Sequence, residues 1–219
     1  MTNNIIVLGE LNKELHYESD FYDKAIDEIV SQLSNFIRYN PDDLSKEVIK
    51  KIVIRGFSNT PNKIIGQGFF KRGGSGNNSS ELLAKLGIST KLISVIGKGS
   101  DWMIAELDKL GVNTTNLFQI TEETPVNTII KSNIITTIHL APNLNKKLNF
   151  DGLTVKDKEF EHSKIIFSTS ISKNNKALLN KGLDLGLITA FRIVPEVIQS
   201  IEHLDQLIDK EYDIFFLNL

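Results

Sequence analysis

Residues 69–87 read Phe69-Phe70-Lys71-Arg72-Gly73-Gly74-Ser75-Gly76-Asn77-Asn78-Ser79-Ser80-Glu81-Leu82-Leu83-Ala84-Lys85-Leu86-Gly87. Three glycines within four residues open backbone angles closed to other residues and let the main chain approach a ligand closely. The pattern then turns helical. Asn77 or Asn78 can serve as N-cap, Leu82, Leu83 and Leu86 recur on one face, and Gly87 stands where a left-handed C-cap stops a helix. A glycine turn feeding a helix start points free N–H groups and the positive end of a dipole at whatever lies there. The stretch would also serve as an ordinary strand-to-helix turn, and its neighbours decide.

Outward from this turn, short apolar runs alternate with helical periodicity. Ile5-Ile6-Val7-Leu8 before Gly9 and Lys91 to Gly97 suit buried strands. Ser100-Asp101 can cap a helix through Leu110 that Gly111 ends, and Asn116–Ile120 is a further strand. Val126–Lys131 and Ile134–Leu140, split by Ser132-Asn133, predict a hairpin with a tight turn. Strands over 165–167, 186–190 and 214–217 alternate with helices over 174–185, 195–201 and 204–208. This order predicts a doubly wound α/β fold, a mainly parallel sheet with right-handed crossovers and helices on both faces. Residues 21–55 look inserted. Their apolar positions follow helical spacing on either side of Asn40-Pro41-Asp42-Asp43, predicting a helical hairpin that covers the body or meets a second subunit.

The chain has 219 residues, 41% hydrophobic and 24% charged, with no run long enough to cross a membrane as a helix. Its start carries no basic region or cleavage site of a secretory signal, so a soluble cytoplasmic protein is expected. The absence of cysteine excludes disulfides, thiolate metal sites and a cysteine nucleophile. A net charge of −2 gives no general attraction to nucleic acid or anionic lipid. The four histidines are far apart and no pair has metal-ligand spacing, so no metal site is expected. There is no Gly-x-Ser-x-Gly elbow, and Gly73-Gly74-Ser75-Gly76 is neither the dinucleotide fingerprint nor the Gly-Lys-Ser/Thr phosphate loop. Asn12 and Glu14, just past the first strand, face the same way if the chain there is extended; a solvated loop fits the same spacing.

Taken together, Val7-Leu8-Gly9-Glu10-Leu11-Asn12, Gly73-Gly74-Ser75-Gly76-Asn77-Asn78, Leu86-Gly87, Val95-Ile96-Gly97, Leu110-Gly111-Val112-Asn113-Thr114-Thr115 and Thr124 resemble the N-terminal two thirds of ribokinase-like (PfkB) carbohydrate kinases. The Gly-Gly-x-Gly-x-Asn block is the specific part. The resemblance implies an α/β body with a small β-lid, matched here by segments about 10–17, 63–71 and 126–139, with the helical insertion about 21–55. It implies ATP- and magnesium-dependent phosphorylation of a hydroxyl on a sugar, nucleoside or similar alcohol. Asn12, Glu14, Gly73, Gly74, Ser75 and Asn78 fall where the family holds the acceptor, and Asn218 falls at the start of its nucleotide-side Asn-x-x-Glu motif.

The departures set a second expectation. Glu14 stands where the family usually has aspartate, Gly97-Lys98-Gly99-Ser100-Asp101 lacks a later glycine, and Ile188-Thr189-Ala190-Phe191-Arg192 keeps only the arginine of Asp-x-Asn-x-Arg. The Gly-Ala-Gly-Asp block, which carries the family's general base, does not occur, so the chain is expected to be a fragment with no catalytic residue of its own and doubtful ATP and Mg2+ binding. The alternative is a non-catalytic sugar-binding or protein-interaction homologue. The expected partners are a small sugar or nucleoside and a second subunit reached through lid or insertion, without nucleic acid or membrane.

Overall fold

Ile5–Leu8 forms β1, and the computed structural model places it at the centre of a six-stranded sheet ordered β10-β9-β8-β1-β4-β5. The structure describes residues 4–19, 21–39, 45–58, 66–124, 126–131, 138–140, 155–169, 173–193, 208 and 210–217. The other strands of this sheet are β4 (Thr90–Lys98), β5 (Val112–Glu123), β8 (Ile165–Ser168), β9 (Ile188–Ile193) and β10 (Ile214–Leu217). All of its pairings are parallel, with Val7 opposite Leu92 on one side and Phe167 on the other. The order is doubly wound: from β1 the chain steps outward to β4 and β5, then returns to β8 on the other side and steps out to β9 and β10.

Alternation along the strands divides the core. Ile6, Leu8 and Ile166 pack with Phe160 and with Leu178 and Leu179 of α5 (Lys173–Asp184). Val7, Leu92 and Ile96 pack with Met103 and Leu107 of α4 (Asp101–Lys109), and with Leu83 and Ala84 of α3 (Ser75–Lys85). Strands buried on both faces need apolar residues at both parities, which is why β1 reads Ile-Ile-Val-Leu without interruption. Each such side chain taken out of water contributes about 1.5–3 kcal/mol.

The chain divides into two compact units, one of Met1–Lys13, Arg72–Val126 and Pro142–Leu219, the other of Glu14–Lys71 and Asn127–Ala141. The first holds the parallel sheet. The second holds helices α1 (Phe21–Tyr39) and α2 (Lys46–Ser58) and most of a four-stranded sheet ordered β3-β2-β6-β7. These strands are β2 (Asn12–Glu18), β3 (Gln67–Gly73), β6 (Val126–Lys131) and β7 (Ile138–Leu140). Gly56 lets α2 lie against α1, since a Cβ there would sit 2.3 Å from Ile29 Cγ1.

Several sequence expectations shift. β6 and β7 pair Ile130 with Ile138, whereas a two-residue turn at Ser132-Asn133 requires Ile130 opposite Ile135. β9 starts at Ile188 because Gly186 belongs to the end of α5, with its N–H bonded to the Leu183 carbonyl. β5 extends well beyond 116–120 at both ends, and α2 runs on to Ser58. Leu82 and Leu86 are exposed; of the expected stripe only Leu83 packs against the core, partly buried beside Ala84. The break at 40–43, the start of the 63–71 segment and the helices expected over 195–201 and 204–208 (apart from Ile208) lie outside the described residues. Among the described residues no helix is long and apolar enough to cross a membrane.

Candidate functional site

In an open parallel sheet, ligands bind beyond the carboxyl ends of the strands, where the winding reverses. Here that place is the end of β1 beside β8. Gly9 follows β1 and lies backbone to backbone against Gly76. A Cβ on Gly9 would fall 2.1 Å from Thr169 Oγ1 and 2.8 Å from Gly76 Cα, and one on Gly76 would fall 2.6 Å from the Gly9 carbonyl carbon. Neither position has room for a side chain. The glycine turn is therefore seated on the main chain leaving β1.

Its seat is fastened by hydrogen bonds. The Asn77 N–H donates to the Glu10 carbonyl (3.1 Å), and Thr169, just past β8, donates its hydroxyl to the Leu8 carbonyl (3.2 Å). Since that spends the one hydroxyl proton of Thr169, Ser75 Oγ is the donor in its 2.8 Å bond to Thr169 Oγ1. Residues 8, 75 and 169 are thus locked together.

The helix start differs from the expected one. Gly74, with φ 94° and ψ 151°, is the N-cap of α3, a conformation essentially confined to glycine, and no side chain caps the helix. Asn77 and Asn78 lie inside the first turn, because the Asn77 backbone is drawn to Glu10 and its side chain to Arg72. The Arg72 guanidinium is nearly buried, at 9% side-chain exposure, and donates to Glu106 Oε2 (2.8 Å), Asn77 Oδ1 (2.7 Å) and Glu81 Oε2 (3.1 Å). The hydrogen bond from Lys85 and the charge of Arg72 hold the Glu81 carboxyl below its ordinary range, against the opposing effect of burial.

Of the expected acceptor residues, Gly73, Gly74, Ser75 and Asn78 lie along this turn, and Asn12 lies two residues beyond its seat on Glu10. Asn12 is 1% exposed; its Nδ2 makes a long 3.5 Å contact to Glu10 Oε2, and its Oδ1 has no donor among the described residues. Asn78 is exposed, and its Oδ1 accepts from Asn77 Nδ2 at 3.0 Å. Glu14 belongs to the other unit, where its Oε2 accepts from His16 Nε2 (3.0 Å) and the His16 ring stacks on Phe69 at 5.4 Å. Asn218 lies outside the described residues.

Thr169 and Arg72 escaped the sequence reading. Thr169 follows an ordinary apolar strand with no signal of its own. A charged residue directly before a glycine run was the one available hint for Arg72. Ser100 stands at the N-cap of α4 without capping it. The Gly97 N–H donates to Thr124 Oγ1 (2.8 Å), Thr124 donates to Ser100 Oγ, and Ser100 donates to the Gly97 carbonyl (2.8 Å), closing a buried ring. Among the described residues no cluster of three histidine, aspartate or glutamate side chains is arranged to hold a metal ion.

The glycine turn is thus seated at the switch point of a doubly wound sheet, the architecture of the α/β class. The sequence matches the pfkB family carbohydrate kinases over residues 51–186, more than half of the chain, and the protein belongs to that family. Among solved structures it is similar to ribokinase from Giardia lamblia (14% identity, TM-score 0.63, covering 100% of this chain and 58% of that one). Ribokinase from Thermotoga maritima gives 18% identity and a TM-score of 0.61, over 99% of this chain and 59% of that one. Ribokinase from Cryptococcus neoformans in complex with ADP gives 14% and 0.52, over 90% and 51%. At such identities the likeness shows the ribokinase-like fold, and the chain spans between about half and three fifths of those structures. None of the curated proteins compared matches it.

Proposed function

We propose that this chain supplies the acceptor-binding part of an ATP-dependent carbohydrate kinase, one that phosphorylates a hydroxyl of a sugar or nucleoside. The observation that carries the reading is an acceptor beside a seated glycine turn: Asn12 Oδ1 is buried without a donor among the described residues, two residues from the Glu10 carbonyl that holds the turn. A buried carbonyl oxygen left unpaired costs about 1–3 kcal/mol, and a substrate hydroxyl removes that cost. In this reading Asn12 accepts from an acceptor hydroxyl, the Gly73-Gly74-Ser75 backbone admits the substrate closely, and Asn78 donates to it.

ATP would supply the phosphoryl group. The described residues offer no carboxylate cluster for magnesium, and Asn218 lies outside them. No Gly-Ala-Gly-Asp block occurs in these 219 residues, which leaves acceptor binding as their part of the reaction. Calorimetric titration with D-ribose, D-fructose and adenosine tests it. Saturable binding of one of them, weakened by about 1–3 kcal/mol in Asn12→Ala, is expected. No binding of any, or equal affinity in the variant, overturns it.

A further inference from the structure

We infer that Arg72 and Asn77 are positioning residues that set the polarity of Asn78, so that it faces its ligand as a donor through Nδ2. The inference rests on the acceptor-site reading for what that ligand is, and on geometry alone for the polarity. An asparagine amide is nearly symmetric in shape, and its two ends are told apart only by what they bond. A guanidinium has five N–H donors and no acceptor. The Asn77 atom 2.7 Å from the Arg72 guanidinium must therefore be Oδ1. This leaves Nδ2 of Asn77 facing Asn78, 3.0 Å from it, and an N–H there requires the Asn78 atom to be its carbonyl oxygen. Asn78, the exposed member, then turns its NH2 outward.

The relay is well anchored. Asn77 is 1% exposed and its main chain is bonded to Glu10, so its side chain has no solvent-facing alternative. Arg72 is held from two further sides by Glu81 and Glu106. The chemical consequence is selective. An oxygen with a free lone pair, such as a hydroxyl, a ring oxygen or a carboxylate, satisfies Asn78, whereas an ammonium or amide N–H does not. Asn12 offers the opposite polarity, an acceptor held in place because its Nδ2 faces the Glu10 carboxylate. A hydroxyl-rich ligand meets both demands, since each hydroxyl donates and accepts.

The test uses the 219-residue chain and reads the asparagine side-chain amides by 15N NMR, with Arg72→Met and Asn77→Asp as variants. In the parent, the Asn77 NH2 should be protected from exchange and the Asn78 NH2 should exchange with solvent. Asn77→Asp keeps a partner for Arg72 but cannot donate to Asn78, so the Asn78 amide should shift and lose its fixed orientation while the fold persists. This variant decides the matter even if Arg72→Met does not fold. A protected Asn78 NH2 in the parent, or Asn78 resonances unmoved in Asn77→Asp, overturns the inference. Should D-ribose, D-fructose or adenosine bind, Asn77→Asp should weaken it roughly tenfold, the worth of one hydrogen bond. The same change in an Asn78→Ala background should have no further effect, whereas a merely structural loss would add to it. Absence of binding counts against the acceptor-site reading, and the amide arm still decides the polarity.

Discussion

The two units of the chain show similar apolar spacing in their helices and bury it to different depths. In the parallel-sheet unit, Met103 and Leu107 of α4 are 0% exposed, as are Val7 and Leu92 beneath them. In the other unit, the apolar residues of α1 and α2 are covered only in part: Ile29, Leu33, Phe36, Ile52 and Val53 are half-buried, and Val30 and Ile54 are 55% exposed. Periodicity says which face of a helix is apolar; the depth of its burial depends on what lies opposite. A helix stacked on a sheet buried on both faces meets a continuous wall of side chains. A helix packed mainly on one other helix leaves its flanks wet, and its backbone hydrogen bonds are opened more cheaply.

The widest break in this comparison comes from matched truncations. Leu107→Ala should cost about 2–5 kcal/mol in denaturant unfolding, and Ile54→Ala within about 0.5 kcal/mol. Amides of β1 and β4 should accordingly exchange far more slowly than those of α2. Equal costs and equal protection would show that the hairpin is as firmly held as the sheet. Next in size, Gly9→Ala should cost about 3 kcal/mol, because its methyl group meets Thr169 Oγ1 and the Gly76 backbone with no room to shift. A melting temperature unchanged by it would mean that the turn is not seated as described.

The smallest effect concerns Glu81, an ion pair on the edge of the better-packed unit. Its carboxyl is held low in the folded state, chiefly by Lys85 and by the Arg72 charge, so its contribution is full above the ordinary carboxylate range and is lost as pH falls through the folded value. Glu81→Gln should be less stable than the parent by about 0.5–1 kcal/mol at neutral pH, with the gap closing in acid. A gap independent of pH would remove the ion pair from the account.

The strands of the parallel sheet were legible because double-sided burial leaves uninterrupted apolar runs such as Ile5–Leu8, bounded by glycine. The glycine turn was legible as a motif. Its cap was not: propensity favours Asn77 or Asn78, but Glu10 and Arg72 recruit Asn77, and Gly74 takes the cap through its backbone. The stripe on α3 was misread because Leu82 and Leu86 satisfy helical spacing as well as Leu83 does, and only the position of the sheet distinguishes them. Thr169 joins Ser75 from 94 residues away, a pairing with no local sequence signature. Arg72 could not be singled out in sequence, since three acceptors from separate places in the chain have to gather before an arginine can be buried.

The central place of β1 also has a meaning in time. Ile5 pairs with Thr90 on one side and with Ile165 on the other, so the strand made first receives its second neighbour after 160 more residues. At cellular synthesis rates that interval is roughly ten to thirty seconds. During it, Ile5-Ile6-Val7-Leu8 is an apolar strand with an unpaired edge, the kind of segment that joins other chains and that holdases bind. The bond from Ser75 to Thr169 can close only when that wait is over, so the seating of the glycine turn marks the moment at which the nascent sheet is complete around its first strand.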